Sequence, residues 1–165
     1  MQRVTIVSPA LAEANNGNWQ TAMRWAHFLA PRYDVNIAGA WSPVTGATPD
    51  LLIALHARRS AAALAAFAEA HPASPRVLVL TGTDLYRDIH DNPAAQASLE
   101  HANVLVLLQE AGLATLPPEH RAKAQVIWQS APSLKPVAPA PGADHLAFSM
   151  IGHLRPEKDP LTFMR

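Results

Sequence analysis

The sequence predicts an α/β fold built on a doubly wound parallel sheet. Short, continuously apolar runs, such as RVLVL at 76–80, alternate along the chain with segments of helical periodicity. Such runs are typical of strands buried on both faces, and strand–helix alternation indicates right-handed βαβ units. The 165 residues suffice for an ordinary domain, and a composition of 49% hydrophobic and 16% charged residues provides a core.

Six segments are predicted to be strands. They are short, several are continuously apolar, and turn-forming or polar residues separate them from the helical segments. Their ranges are 3–8, 33–38, 51–55, 76–80, 103–108 and 124–128.

Four helices are predicted between these strands. In the first, Trp19 begins a set of apolar residues that recur on one face at helical spacing. The second is rich in alanine. The third starts at Pro93, with Asn92 as its N-cap, and the fourth stops before Pro117. The predicted ranges are 18–30, 58–70, 93–101 and 110–115.

Composition excludes several classes of protein. Thirteen basic residues balance 13 acidic residues, so no basic field is available to bind nucleic acid. The chain has no cysteine, which excludes disulfides and thiolate metal sites. The eight histidines show no H-E-x-x-H spacing, and no metal is expected. No stretch approaches the roughly 20 apolar residues of a membrane span, so we expect a cytoplasmic protein.

The chain is predicted to continue beyond one domain. Residues 1–130 hold all six strands, and residues 131–144 are rich in proline, as a semi-rigid linker would be. Residues 145–165 contain one further apolar run, a charged loop and the start of a helix. One strand and one helical turn cannot form a core, so we expect them to open an incomplete second domain.

The first strand is followed by a small polar loop that contains Asn16, Gly17 and Asn18. Ligands of doubly wound sheets bind at the carboxyl ends of the strands. The N–H groups and dipole of the helix that follows favour an anion at this loop. The alternative is an Asx-rich turn that only caps the helix.

The third strand is followed by His56, Arg58 and Arg59. A histidine at a strand end is suited to acid–base chemistry or to phosphate contact. Two arginines in the first turn of the predicted helix would oppose its dipole, and such a local misfit favours a function. The alternative is a surface histidine beside a solvated helical turn.

The fourth strand is followed by Thr81, Gly82 and Thr83, whose small side chains permit close approach of a ligand. Asp84 could accept a proton or a sugar hydroxyl, and Arg87 could pair with an anion. A tight turn with an aspartate cap is the alternative interpretation.

A similar loop lies near the end of the chain. Gly152 follows an apolar run and would let a phosphate approach. His153, Arg155 and Lys158 could neutralise that phosphate. The alternative is an ordinary charged loop.

Four strings, taken in order, resemble retaining, family-4-like glycosyltransferases of the two-domain GT-B type: NNGN, LLIALH, LTGTD and IGHLRPEK. The resemblance is closer to one branch, the selenosugar synthases of selenoneine biosynthesis. It rests on PALAEANNGNWQTAMRWA, LLIALHARRSA, LTGTDLYRDI and GHLRPEKDPL, which cover nearly the whole chain. The resemblance implies a Rossmann-like N-terminal domain that binds the acceptor.

The resemblance also implies a reaction. A UDP-sugar, UDP-N-acetylglucosamine, would donate its sugar to selenophosphate with release of UDP and phosphate, and without a cofactor or bound metal. His56 would contact the reacting sugar or acceptor, and Arg58, Arg59 and Arg87 would bind the anionic acceptor. The donor loop departs from the family, because His153 stands where the family usually has arginine.

Two other functions remain open from the sequence. One is a glycosyltransferase of the same fold with a hydroxyl acceptor, and the other is a non-catalytic α/β binding module. The family's nucleotide pocket would lie beyond residue 165, so we expect this chain alone to bind the donor poorly and to turn over little. Half of a GT-B enzyme would also expose its interdomain face, which could drive self-association.

Overall fold

Six parallel strands form one sheet, as the computed structural model shows. The predicted α/β fold with a parallel, doubly wound sheet is therefore confirmed. Each strand lies within two residues of its predicted bounds. Burial on both faces demands an apolar run such as LLIAL at 51–55, which can be recognised in the sequence, whereas the two edge strands are partly exposed. The strands are β1 (Arg3–Val7), β2 (Asp34–Ala38), β3 (Leu51–Leu55), β4 (Arg76–Leu80), β5 (Val104–Leu107) and β6 (Ala124–Val126), and their order across the sheet is β2-β1-β3-β4-β5-β6.

The structure describes residues 1–44, 48–133, 135, 149–150 and 159–164. It divides into two compact units, Met1–Gln129 and Ser130–Arg165. Most of the predicted linker and of the predicted strand after it lies outside the described residues. So do four residues of the predicted donor loop, namely Gly152, His153, Arg155 and Lys158.

The order of the strands changes direction between β1 and β3. Val7, at the end of β1, pairs with Ala38 of β2 on one side and with Ala54 of β3 on the other. The chain passes from β1 to β2 in one direction, and β3 to β6 then extend the sheet in the other. The carboxyl ends of β1 and β3 therefore flank the switch point, where sheets of this type bind ligands.

Helices cover both faces of the sheet. On one face α2 and α4 pack against side chains such as Leu52 and Leu78, with Phe67 fully buried between them and the sheet. On the other face Ala22 of α1 packs against residues that include Ile6 and Leu55. The helices of the first unit are α1 (Gly17–Leu29), α2 (Ala61–Ala70), α3 (Ile89–Asp91), α4 (Pro93–His101) and α5 (Gly112–Thr115).

Helix α2 begins later than the sequence predicted. It starts at Ala61, and the Ser60 hydroxyl donates a hydrogen bond of 2.6 Å to the Leu55 carbonyl. Arg58 and Arg59 therefore lie in the turn before the helix, and the prediction that they occupy its first turn is wrong. These two arginines therefore do not oppose the dipole from within the helix.

The shorter helical elements connect the strands. A π-helical turn, Asp84–Asp88, leads from β4 into α3, and 3₁₀ turns occupy Ala12–Ala14 and Pro118–Lys123. In the second unit, α6 (Pro160–Phe163) is capped by Asp159, whose carboxylate accepts the Thr162 N–H. Among the described residues, no helix combines the length and apolar character that a bilayer span requires.

Arg76, at the start of β4, binds backbone carbonyls near the ends of two helices at the amino edge of the sheet. Its Nε donates to the His101 carbonyl at 2.7 Å, at the end of α4. Its Nη1 donates to the carbonyls of His71, Pro72 and Ser74, just after α2, at 3.3, 3.2 and 2.8 Å. One guanidinium thus binds the last carbonyl of α4 and three carbonyls of the turn that follows α2.

We expect Arg76→Met to lower the free energy of unfolding by about 2 kcal/mol, because partly buried carbonyls lose a charged donor. Urea denaturation of the variant and the unsubstituted protein measures the difference. Arg32→Met makes the same change at an exposed position and should stay within about 0.5 kcal/mol. Equal losses in the two variants would contradict a specific role for Arg76.

Candidate functional site

The loops that follow β1, β3 and β4 share the carboxyl edge of the sheet. These three strands are neighbours in the order β1-β3-β4, so residues 15–18, 56–60 and 81–88 follow adjacent strand ends. We define the strand-end cluster as His56, Arg58, Arg59, Asp84, Arg87 and Asp88. Hydrogen bonds, ion pairs and electrostatic effects connect its members.

His56 adopts an unusual backbone conformation at the end of β3. Its φ is 73°, in the left-handed region that residues other than glycine seldom occupy, and only 5% of the residue is exposed. Its N–H donates to the Val79 carbonyl at 2.9 Å, and its carbonyl accepts the Ser60 N–H at 3.1 Å. Strain of this kind persists where surrounding contacts fix the backbone, and it is common at functional sites.

His56 is held in its neutral form. Burial lowers the pKa of His56 below its ordinary value of 6.5, and the positive charges of Arg59 and Arg58 lower it further. Asp84 and Asp88 oppose these effects and raise it. Nδ1 accepts the Arg59 N–H at 3.5 Å, so the proton of the neutral ring resides on Nε2.

Asp84 ties two of the loops together. It is fully buried, and its Oδ1 accepts the N–H groups of Thr81 and Gly82, each at 2.9 Å. Its Oδ2 accepts the Ala57 N–H at 2.9 Å, beside His56. Three backbone N–H groups thus share this carboxylate, which joins the loop after β3 to the loop after β4.

The fourth-strand loop is tight where Asp84 binds it. Gly82 has a φ of 134°, in a region that favours glycine. A Cβ at Gly82 would meet no atom within 4 Å, so the requirement for glycine comes from the backbone conformation rather than from packing. Thr81 and Thr83 flank it and are half-buried.

Asp88 is a member of the cluster that the sequence did not single out. It is 3% exposed, and its Oδ1 accepts a hydrogen bond of 3.1 Å from Arg87 Nε. Its Oδ2 lies 3.0 Å from Arg58 Nε and 4.0 Å from His56 Nε2. The spacing of two aspartates four residues apart in DLYRD, which puts both on one side of a helical turn, is the signal that could have identified it.

The cluster keeps a small excess of positive charge. Three arginines stand against two carboxylates, and His56 is neutral. Arg58 and Arg87 share Asp88, whereas exposed Arg59 has no carboxylate partner within the described part of the chain. Guanidinium groups bind oxyanions through paired N–H donors, so the cluster is suited to a small anion.

The loop after β1 forms a capped helix start. Asn16 is the N-cap, and its Oδ1 accepts the N–H groups of Asn18 and Trp19 at 3.0 and 3.3 Å. The cap therefore uses two of the amides that an anion would otherwise bind. Gly17, the first helical residue, has no positive φ, and a Cβ there would meet nothing within 4 Å. Neither conformation nor packing inside the chain requires glycine at this position.

The loop after β5 contacts the loop after β4. The Gln109 amide donates a hydrogen bond to the Tyr86 hydroxyl, and both side chains are exposed.

Within the described residues, no group of three or more His, Cys, Asp or Glu side chains could hold a metal ion. Comparison with known proteins gives no further guide to the site, because no protein-family model and no curated protein matches this chain.

We expect His56 to make the protein less stable in mild acid. Because its folded pKa is lowered, the unfolded chain, with a histidine pKa of about 6.5, binds the proton more readily. The contribution of neutral His56 to the free energy of unfolding should therefore be fully present above about pH 6.5. It should be lost as the pH drops towards the folded pKa. His56→Asn, which tolerates the left-handed conformation, should reduce this loss between pH 7.5 and pH 5.5 in urea denaturation.

Exposed His27 provides the matched control. His27→Asn should leave the pH dependence of the free energy of unfolding unchanged. If His56→Asn shows the same loss between the two pH values as the unsubstituted protein, buried His56 does not cause it.

Proposed function

We propose that this chain is the acceptor side of a cytoplasmic, UDP-sugar-dependent glycosyltransferase of the GT-B type, with selenophosphate as the acceptor. The observation that carries the proposal is the strand-end cluster, which follows β3 and β4, beside the switch point of a parallel sheet. It combines a buried histidine in a left-handed conformation with arginines from two loops. The resemblance of NNGN, LLIALHARRSA and LTGTDLYRDI to selenosugar synthases falls on these two loops and on the loop after β1.

The acceptor would bind through charge. Arg58 and Arg59, both exposed, would donate hydrogen bonds to the phosphate oxygens, and the start of α1 would approach the same anion through Gly17. Selenophosphate is already nucleophilic, so the reaction needs no strong base. In the transfer, the bond from the sugar C1 to the UDP oxygen breaks, UDP leaves with the electron pair, and a C1–Se bond forms. Water then attacks phosphorus, the P–Se bond breaks with its electron pair on selenium, and phosphate leaves the seleno-sugar.

His56 would act by position rather than as an acid. Since burial lowers its pKa, the ring is neutral near pH 7 and can offer an N–H or a lone pair but not a full charge. Asp84 would hold the loop of His56 against the loop of Thr81. On the donor side, Gly152, His153, Arg155 and Lys158 would bind the diphosphate, with no metal or cofactor in the reaction.

A second acceptor class is favoured by one observation. Arg58 and Arg87 already share the buried carboxylate of Asp88, which leaves the cluster one net positive charge. A neutral hydroxyl acceptor needs less charge than a selenophosphate anion, so a glycosyltransferase with a hydroxyl acceptor is the alternative.

The direct test uses the protein from its complete reading frame. We expect release of UDP from UDP-N-acetylglucosamine only when selenophosphate is added, with a seleno-sugar detected by mass spectrometry. Inorganic phosphate in place of selenophosphate is the matched control and should yield no product. UDP release that does not require selenophosphate but requires an added alcohol acceptor would favour the hydroxyl-acceptor alternative. No release with several UDP-sugars would overturn both glycosyltransferase proposals.

Gly17→Ala should separate folding from acceptor binding. Alanine restricts the unfolded chain and should raise the free energy of unfolding by about 0.5 kcal/mol. The added methyl group should weaken selenophosphate binding and raise its KM about tenfold, the effect of losing one charged hydrogen bond. Gly39→Ala, at a position with ordinary room for a Cβ, should leave the KM unchanged. An unchanged KM in Gly17→Ala would remove this loop from the site.

A further inference from the structure

Asp88 carries an unsatisfied oxygen inside the strand-end cluster. Its Oδ2 is buried and accepts no hydrogen bond in the part of the chain that the structure describes. Arg58 Nε lies 3.0 Å from this oxygen but without the alignment of a hydrogen bond. Buried acceptors are rarely left without a donor, because the loss of hydration is not compensated. The arrangement therefore indicates a group kept for a purpose other than stability.

The carboxylate of Asp88 holds cations from two loops. Arg58 belongs to the loop after β3 and Arg87 to the π-helical turn after β4, and each places its Nε beside a different oxygen. Arg58 and Arg87 side chains remain 42% and 51% exposed. The buried anion thus fixes one end of two partly exposed guanidinium groups, which lowers the entropy lost when they bind an oxyanion.

The same oxygen faces the proton of His56. Nδ1 of the ring accepts the Arg59 N–H, so Nε2 carries the hydrogen, and it lies 4.0 Å from Asp88 Oδ2. This distance is about 1 Å longer than a hydrogen bond. Arg58 stands beside the same oxygen, so Arg58 and the imidazole compete for Oδ2.

We propose that Asp88 is the positioning residue of this site: it holds Arg58 and Arg87 as a clamp for a small oxyanion, and Arg58 in turn keeps the Asp88 Oδ2 from the His56 Nε2–H. The proposal deepens the proposed function and depends on it only for the identity of the anion. Inorganic phosphate serves as the probe. Its binding and the titration of His56 require no UDP-sugar, so they can succeed where the transfer assay fails.

The first test is phosphate affinity in Asp88→Asn, measured by calorimetry on the full-length protein. Removing a negative charge would by itself strengthen the binding of an anion. A positioning role predicts the opposite, about tenfold weaker binding, because the two guanidinium groups are no longer held. Asp91→Asn makes the same change of charge at an exposed position on α3 and should not weaken binding. Unchanged or tighter binding in Asp88→Asn overturns the proposal.

The second test leaves Asp88 in place and compares two arginines by following the His56 imidazole by NMR. The charged groups that face His56 are Asp84, Asp88, Arg59 and Arg58, and Arg59 lowers the His56 pKa more than Arg58 does. Charge alone therefore predicts that Arg59→Met raises this pKa more than Arg58→Met.

The proposal predicts the reverse order, because only Arg58→Met frees the Asp88 oxygen to accept the Nε2–H. The rise caused by Arg58→Met should also be smaller in the Asp88→Asn background than in the unsubstituted protein. A larger rise in Arg59→Met, or a rise from Arg58→Met that is equal in the two backgrounds, overturns the proposal. This comparison decides the matter even if Asp88→Asn alone does not fold.

Discussion

Three hydrogen bonds to the carboxylate of Asp84 hold the carboxyl edge of the sheet in its observed form. They join the N–H groups of Thr81 and Gly82, after β4, to the N–H of Ala57, after β3. The Ala57 carbonyl in turn accepts a hydrogen bond of 2.7 Å from the Ser98 hydroxyl of α4. Because both ends of this peptide segment are fixed, the neighbouring His56 keeps its left-handed conformation.

The other contacts of the strand-end cluster depend on these hydrogen bonds of Asp84 and Ala57. With its backbone held, His56 stays buried, and burial keeps the ring neutral. The turn that follows carries Arg58 to Asp88, which Arg87 meets from the other loop. A buried carboxylate between two arginines is weak evidence for stability, since its desolvation offsets most of the attraction. It is better explained as a means of holding cations where a ligand can use them.

The sheet and most of the helices follow from local patterns. Apolar runs such as LLIAL mark strands that are buried on both faces, and Asn92 before Pro93 marks the start of α4. The start of α2 could not be predicted in this way. Residues 58–60 have a composition that a helix would accept, but the hydrogen bond from Ser60 to Leu55 and the one from Ala57 to Asp84 keep them in a turn.

The sequence by itself determined the fold class, the strand positions and the polar character of the loops at the strand ends. These features depend on burial and on local conformational preference, and both produce sequence patterns that repeat every few residues. Only the tertiary structure decided that Asp84 is fully buried, that Asp88 joins Arg58 to Arg87, and that Gly17 has open space before it. The physical reason is that the environment of a charged side chain depends on residues distant in sequence, such as Ala57 and Asp84, which only the packed sheet brings together.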